Sequence, residues 1–377
     1  MPLDDYDLRQ LRRALELAHE AVGRSDPNPR VGCVLADARG RVVGEGATQR
    51  TGEAHAEVMA LQAAQGAGAS LDGGTAWVTL EPCSHHGRTP PCVDAMVTAR
   101  LRRVVVGGID PNPLVAGTGV QRLRDAGVIV DVADGELARQ ARELNIGFFS
   151  RMRRGVPWVR CKIAASLDGR TALDDGRSSW ITGAEARRDG HAWRRRAGAV
   201  LTGSGTVLAD DPRLDVRDVP TEVQPLRVVL DSHLRVSPRA RVFDAPGTSL
   251  VYCTQPSDGA AADALRARGV DVVQVTGSGD RVELGAVLHD LAGRGINELH
   301  VEAGPTLNGA LLQRDLVDEY LVYIAPKLIG AGKGMVEFPP LNDLAQAHAL
   351  RFESLQSFGD DVRIVARRPG RADWLGS

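Results

Sequence analysis

The chain carries His55-Ala56-Glu57 and, further on, Pro82-Cys83-Ser84-His85-His86-Gly87-Arg88-Thr89-Pro90-Pro91-Cys92. Together these segments offer one imidazole and two thiols, a donor set that suits tetrahedral zinc, plus a carboxylate the metal does not need. Three protein ligands leave the fourth position open to water, which is the arrangement of a catalytic ion and not of a closed structural one. If His55 opens a helix, Glu57 lies two residues on and points to a different side, toward the open position. Eight residues separate the cysteines, a wide gap for such a pair.

Outward from these residues the pattern alternates. Residues 53–65 form an alanine-rich helix beginning near His55, and Trp77-Val78-Thr79-Leu80 is a buried strand that ends at Glu81-Pro82, just before Cys83. Cys92 precedes the apolar spacing of Val93, Met96 and Val97, so it stands at a helix start, where the dipole favours thiolate. Upstream, Leu8, Leu11, Leu15, Ala18 and Val22 fall on one helical face, and residues 31–35 and 41–44 read as a strand pair around Asp37-Ala38-Arg39-Gly40. Downstream come a strand at 103–108, a helix at 119–126 and a strand at 128–132. This is a layered α/β domain, taken as residues 1–153. Basic residues with Gly and Pro at 150–157 read as an exposed linker. Beyond it, apolar runs at 158–164, 199–202, 226–230, 249–253, 270–275, 299–302, 320–324 and 362–366 are separated by helical patterns, so residues 154–377 make a second α/β sheet domain.

Composition narrows the function classes. A chain of 377 residues accommodates two or three domains. Its 46 basic and 48 acidic residues, with 4% aromatics, give no field or stacking surface that recommends nucleic acid as a partner. No run of 18 apolar residues marks a membrane span, and Met1-Pro2-Leu3-Asp4-Asp5 lacks the charge and apolar regions of a signal peptide. Five cysteines are too few and too odd in number for a disulfide framework, which fits a cytoplasmic protein with reduced thiols.

His-x-Glu followed by Pro-Cys and a second cysteine is the signature of zinc nucleobase deaminases. Zinc in such a site lowers the pKa of water to about 7, and the Glu carries a proton to the departing ammonia. The competing reading, structural zinc or cysteines merely buried, accounts for the thiols but not for the complete set of His, Glu and two Cys. The segments quoted above, with Asn28-Pro29-Arg30-Val31-Gly32, resemble the cytidine deaminase superfamily and, within it, the deaminase domain of the bifunctional riboflavin biosynthesis family. The long cysteine spacing is a mark of that branch. The resemblance implies zinc on His55, Cys83 and Cys92, Glu57 as the catalytic proton carrier, and hydrolysis of the amino group at ring position 2 of a diaminopyrimidinone bearing a phosphoribosylamino group. It further implies substrate contacts from Asn28, His85, Arg88, Asp110 and Asn112, with Arg88 on the phosphate. Without it, Asp110 and Asn112 read as a Pro-rich turn, and His86 carries no role.

The second half has no Gly-x-Gly-x-x-Gly after a strand, so a Rossmann dinucleotide site cannot be argued there. Two strand ends, at Gly203-Ser204-Gly205-Thr206 and Ala303-Gly304-Pro305-Thr306, aim backbone N–H groups outward, a feature ordinary strand-to-helix turns share. Lys162-Ile163-Ala164-Ala165-Ser166-Leu167-Asp168-Gly169-Arg170, Ser178-Ser179-Trp180-Ile181-Thr182, Val207-Leu208-Ala209-Asp210-Asp211-Pro212 and Glu302-Ala303-Gly304-Pro305-Thr306-Leu307 resemble the reductase domain of the same family, which is similar in fold to dihydrofolate reductase and uses NADPH. By that resemblance Ala164, Trp180, Thr206, Asp210 and the loop Gly304, Pro305, Thr306, Leu307, Asn308, Gly309 and Ala310 contact the cofactor. Lys162, Ser178, Arg194, Leu214, Arg217 and Glu302 contact a phosphorylated sugar substrate. Read alone, Arg194-Arg195-Arg196 is a basic helical run of the kind that forms a solvated face.

The expectation is therefore a cytidine-deaminase-like α/β/α domain followed by a dihydrofolate-reductase-like α/β domain. Such a chain deaminates a phosphorylated pyrimidine with zinc, then reduces the ribosyl group of the product to a ribityl chain with NADPH. Its expected partners are small phosphorylated pyrimidines and further copies of itself, with neither nucleic acid nor membrane.

Overall fold

The computed structural model describes residues 3–85, 90–113, 115–254, 259–275 and 279–375. They form two compact units, Met1–Gly155 with Leu375–Ser377, and Val156–Trp374. In the first unit the elements follow as α1 (Asp5–Glu20), β1 (Gly32–Ala36), β2 (Val42–Ala47), α2 (Ala56–Gly66), β3 (Thr75–Val78), α3 (Cys92–Thr98), β4 (Arg103–Val106), α4 (Thr118–Asp125), β5 (Ile129–Val132), α5 (Gly135–Leu144) and α6 (Ile146–Arg154). The sheet order is β2-β1-β3-β4-β5. β1 is antiparallel to both neighbours, whereas β3, β4 and β5 run parallel.

A capping box between Asp4 and Asp7 starts α1, whose buried Leu11 and Ala14 lie on the sheet while Leu15 and Ala18 pack with Ala141 and Leu144 of α5. Asp7 is itself buried: its carboxylate accepts from the Trp77 indole at 2.9 Å and from both Arg103 Nη atoms at 2.8 Å, tying α1 to β3 and β4. Close helix–strand approach places the helix that carries the zinc motif. A Cβ on Gly46 of β2 would stand 2.4 Å from the Ala56 carbonyl, so only glycine lets the start of α2 lie this near the sheet.

The expected exposed linker at 150–157 is corrected. Residues through Arg154 are helical, with Ile146, Phe148, Phe149 and Ser150 buried, and Gly155 in left-handed conformation (φ 70°) ends the helix. Arg151, Arg153 and Arg154 are last-turn residues that complement the helix dipole and do not mark loose chain.

The second unit contains β6 (Trp158–Ser166), α7 (Ala184–Arg196), β7 (Ala199–Gly203), α8 (Ser204–Asp210), β8 (Leu226–Leu230), α9 (Arg241–Asp244), β9 (Ser249–Cys253), α10 (Ala260–Arg266), β10 (Val270–Gln274), α11 (Leu284–Gly293), β11 (Glu298–Glu302), α12 (Pro305–Gln313), β12 (Glu319–Ala325), β13 (Arg351–Phe358) and β14 (Asp361–Arg367). Its sheet runs β10-β9-β8-β7-β11-β6-β12-β14-β13. The strands from β10 to β12 are parallel, and β14 and β13 close one edge antiparallel. Apolar clusters form on the sheet, one including Val159, Leu201, Leu299 and Val301, another Val200, Val229 and Val251. Burial on both faces is why these strands read as continuous apolar runs.

Candidate active sites

In the first unit, His55 is the N-cap of α2, Cys92 the first residue of α3, and Cys83 lies in the segment after β3. Their ligand atoms lie within 4.8 Å of one another. His55 Nδ1 is 3.6 Å from Cys83 Sγ and 3.4 Å from Cys92 Sγ, and the Cys92 amide donates to Cys83 Sγ at 3.3 Å. The Cys92 contacts and the neighbouring His55 hold the Cys83 thiol well below its ordinary range, while the hydrogen bond to Cys83 and burial push Cys92 up. One imidazole and two thiols, one already stabilised as thiolate, fit a zinc ion, and the three leave a fourth position for water.

Glu57, in the first turn of α2, is 4% exposed and is not among the ligands. Burial, with the Cys83 charge beside it, raises its pKa to about 7, the range in which a carboxyl both takes and gives a proton at neutral pH. Asp110 is buried in the 110–112 turn, where its Oδ1 accepts from the Asn112 amide at 2.7 Å, and burial pushes its pKa up to about 7. Asn112 is half-buried in the same turn, Asn28 is half-buried in the 25–28 turn, and His85 is exposed. Arg88 and His86 lie outside the described residues. Sequence reasoning passed over Glu81, which is 3% exposed and accepts three backbone N–H groups from residues 110–120. A Glu directly before Pro-Cys is the signal that could have found it.

In the second unit a cleft of about 1550 Å³ opens beside the ends of β6, β7 and β11. Ala164, Trp180, Thr206, Asp210, Gly304, Pro305, Thr306, Leu307 and Ala310 line it, as do Lys162, Ser178, Arg194, Leu214, Arg217 and Glu302. Most of the expected loop 304–310 is helical: Gly304 is the N-cap of α12 and Pro305 its first residue, so the cleft is lined by a helix start whose Thr306 and Leu307 amides have no intrahelical partner. Asn308 and Gly309 are buried behind that face. The Asn308 amide donates to the Ala303 and Met335 carbonyls, and a Cβ on Gly309 would meet the Glu337 carbonyl oxygen at 1.7 Å.

Arg194 and Glu302 form a two-bond pair, Nε to Oε1 and Nη2 to Oε2 at 2.9 Å, and Lys162 Nζ stands 3.8 Å from the same carboxylate. Burial works to raise the Glu302 pKa, but the Arg194 and Lys162 charges overcome it and hold the carboxyl well below its usual range. Arg194 therefore does not belong to a solvated basic face. Arg217 is half-exposed and shares Asp215 with Arg213. Ser178 Oγ reaches Asp210 Oδ1 at 3.4 Å, and the Arg187 guanidinium stacks 4.8 Å over the exposed Trp180 ring. His191, also lining the cleft, was not anticipated; burial, with Arg194 and Arg217 nearby, lowers its pKa to about 4 despite Asp218 at 3.2 Å.

Fold and sites together define a zinc-dependent deaminase of the cytidine deaminase type joined to a reductase. Residues 5–108 match the cytidine and deoxycytidylate deaminase zinc-binding region, and residues 157–364 match the RibD C-terminal domain. The riboflavin biosynthesis protein RibD of Escherichia coli is 46% identical over 372 residues, covering 95% of this chain and 98% of that protein. The Aquifex aeolicus protein of the same name is 39% identical, covering 97% and 99%. Among solved structures, Acinetobacter baumannii RibD superimposes with a TM-score of 0.86 at 38% identity, covering 96% of this chain and 99% of that one. A Thermotoga maritima diaminohydroxyphosphoribosylaminopyrimidine deaminase/5-amino-6-(5-phosphoribosylamino)uracil reductase gives 0.85 at 31% identity, covering 96% and 98%. The chain belongs to the RibD family. It is a bifunctional deaminase and reductase of riboflavin biosynthesis, with zinc as the metal of its first half and NADPH as the cofactor of its second.

Proposed function

We propose that the first half hydrolyses the 2-amino group of 2,5-diamino-6-(5-phosphoribosylamino)pyrimidin-4(3H)-one, and that the second reduces the ribosyl group of the resulting 5-amino-6-(5-phosphoribosylamino)uracil to a ribityl chain. The observation that carries this reading is the buried carboxyl of Glu57 beside the His55, Cys83 and Cys92 cluster, in a chain that also holds the Lys162, Arg194 and Glu302 cleft. Zinc, when bound by those three ligands, supplies Lewis-acid activation of water. Glu57 takes the proton that water gives up and delivers it to the ring amine, so that ammonia leaves as the carbonyl forms. Asn28, Asp110 and Asn112 orient the heterocycle, and the segment between the cysteines presents His85 and Arg88 to the substrate, Arg88 to its phosphate.

In the cleft, the N–H groups at the start of α12 hold the cofactor pyrophosphate, a placement the helix dipole favours. Ala164, Trp180, Thr206 and Asp210 complete its contacts, while Asn308 and Gly309 seat the helix from behind. NADPH, when bound, supplies hydride to the sugar C1′. Lys162 and Glu302 stand at the reacting end, Arg194 fixes Glu302, and Ser178, Leu214 and Arg217 receive the sugar phosphate, with Arg217 the more accessible cation.

The domain boundary expected between residues 153 and 154 lies within two residues of the division between the compact units at Gly155 and Val156, and the enzyme works in the cytoplasm, a setting that its five free cysteines suit. Among the described residues no helix is long and apolar enough to cross a membrane. A homo-oligomer formed through β13 is part of the same reading. β13 ends the sheet with Phe352 62% and Leu355 60% exposed, an open apolar edge that a second copy would cover. Phe352→Lys should lower the mass measured by sedimentation; an unchanged mass argues against this edge.

Glu57→Gln tests the deaminase assignment. The variant should keep about one zinc per chain and lose ammonia release by about a hundredfold or more, the scale of a lost general acid–base. Full deamination by the variant overturns the mechanism.

A further inference from the structure

Outside the proposed chemistry stands a buried carboxylate with no ion pair among the described residues: Glu81, between β3 and Cys83. Its amide donates to the Gly108 carbonyl at 2.9 Å, continuing the pairing of β3 with β4. Its carboxylate reaches into the 110–120 segment and accepts from three amides: Oε2 from Asp110 at 3.2 Å and Gly117 at 2.8 Å, and Oε1 from Val120 at 2.9 Å. Gly117 is the N-cap of α4 and has no side chain to cap it, so Glu81 caps this helix from more than thirty residues upstream. The approach is built from the other side as well. A Cβ on Gly119 would stand 2.2 Å from the Pro82 carbonyl oxygen and 3.1 Å from Glu81 Cγ, so the start of α4 lies directly against the segment entering Cys83.

A buried carboxylate is costly unless it is fully hydrogen-bonded. Here three amides and a helix N-terminus satisfy it, and both oxygens are used. An amide side chain has only one acceptor oxygen, so Gln could serve one side of this arrangement but not both. We infer that Glu81 is the positioning residue of the deaminase half: it staples the 110–120 segment to the Cys83 segment and so sets where Asp110 and Asn112 stand relative to the metal. This rests on the proposal that Asp110 and Asn112 contact the heterocycle. The consequence is specific. Loss of the staple moves the substrate-orienting turn while leaving His55, Cys83 and Cys92 in place, so it weakens substrate binding more than it slows the bound substrate.

The experiment uses the full-length zinc enzyme and compares wild type with Glu81→Gln and Gly119→Ala, following ammonia release, NADPH oxidation with the deaminated intermediate, and zinc content. Expected for both variants is a rise in the deamination KM of about tenfold, kcat within about threefold, about one zinc per chain and an unchanged reductase rate. Zinc content is the control for a folding defect of the first unit, whose ligands it reports on, and the reductase of the same chain is the control for loss of the chain as a whole. An unchanged KM, loss of zinc, or a parallel fall of both activities overturns the assignment. If wild type itself releases no ammonia from the diaminopyrimidine, the substrate reading has failed, a result distinct from failure of Glu81.

Discussion

At the residue scale, the zinc motif was legible because its chemistry needs particular atoms at particular places: an imidazole at a helix N-cap, a carboxyl two residues on and a thiol at the next helix start. Glu81 and Asp7 were not legible, because their role is to satisfy or tie groups far along the chain, and a single sequence carries no record of such pairings. The same holds for His191, on which the sequence offers no motif: it is 4% exposed and accepts the Arg217 amide on Nδ1 at 3.4 Å. Its titration gives a testable asymmetry. In the unfolded chain a histidine titrates near 6.5, while burial and the Arg194 and Arg217 charges lower it to about 4 in the folded unit. The unfolded state therefore binds the extra proton first. The stability contributed by neutral His191 is fully present above about 6.5 and is lost as pH falls through 6.5 toward 4. Urea unfolding of the second unit should show wild type losing about 1–2 kcal/mol more than His191→Gln between pH 7 and pH 5. Equal losses would mean that His191 titrates in the fold as it does in the unfolded chain.

At the scale of elements, most strands and helices followed from period and punctuation, since buried parallel strands are short apolar runs between turn residues. One reading failed and one strand carried no signal, for different reasons. Residues 150–154 are charged and near Gly and Pro, yet they finish α6, whose apolar first turns anchor it. β13 shows no alternation because nearly all of it is exposed and its pairing with β14 shifts between Phe352 and Ser354, so neither burial nor regular register marks it in the sequence. The 304–310 stretch was placed at the cofactor, but its internal division required coordinates: Gly304 to Leu307 and Ala310 face the cleft, while Gly309 lets α12 rest on the backbone at Glu337. Thr306 Oγ1 adds a hydrogen bond to Glu337 Oε2 at 2.7 Å. Gly309→Ala must push one backbone off the other, since the 1.7 Å contact is with a carbonyl oxygen and not with a flexible side chain. Expected are a loss of about 1–3 kcal/mol in the second unit's stability and a several-fold higher KM for NADPH, with ammonia release unchanged. Denaturant unfolding and cofactor titration check both, and an unaffected KM would show that the helix start does not hold the cofactor.

At the scale of the whole molecule, the two activities draw on separate residues. Every described zinc ligand and Glu57 belong to the unit formed by Met1–Gly155, and every residue lining the large cleft belongs to Val156–Trp374. The hydrophobic clusters respect the same division: Leu11, Val34 and Trp77 lie in one, Val159, Leu201 and Val301 in another. Metal removal should therefore act on one half alone. Zinc leaves most readily where its ligands can take protons, and here the hydrogen bond to Cys83 and burial already favour a protonated Cys92 in the absence of the ion, so a strong chelator at mildly acidic pH should strip the site. Ammonia release should then fall to background and return on adding zinc, while NADPH oxidation with the deaminated intermediate stays within about twofold of its starting rate. The control is the unfolding transition of the second unit, which should not shift on chelation, because none of its described residues joins the metal cluster. If chelation slowed hydride transfer as much as deamination, the metal would be sustaining the reductase as well, and the assignment of one chemistry to each unit would be wrong.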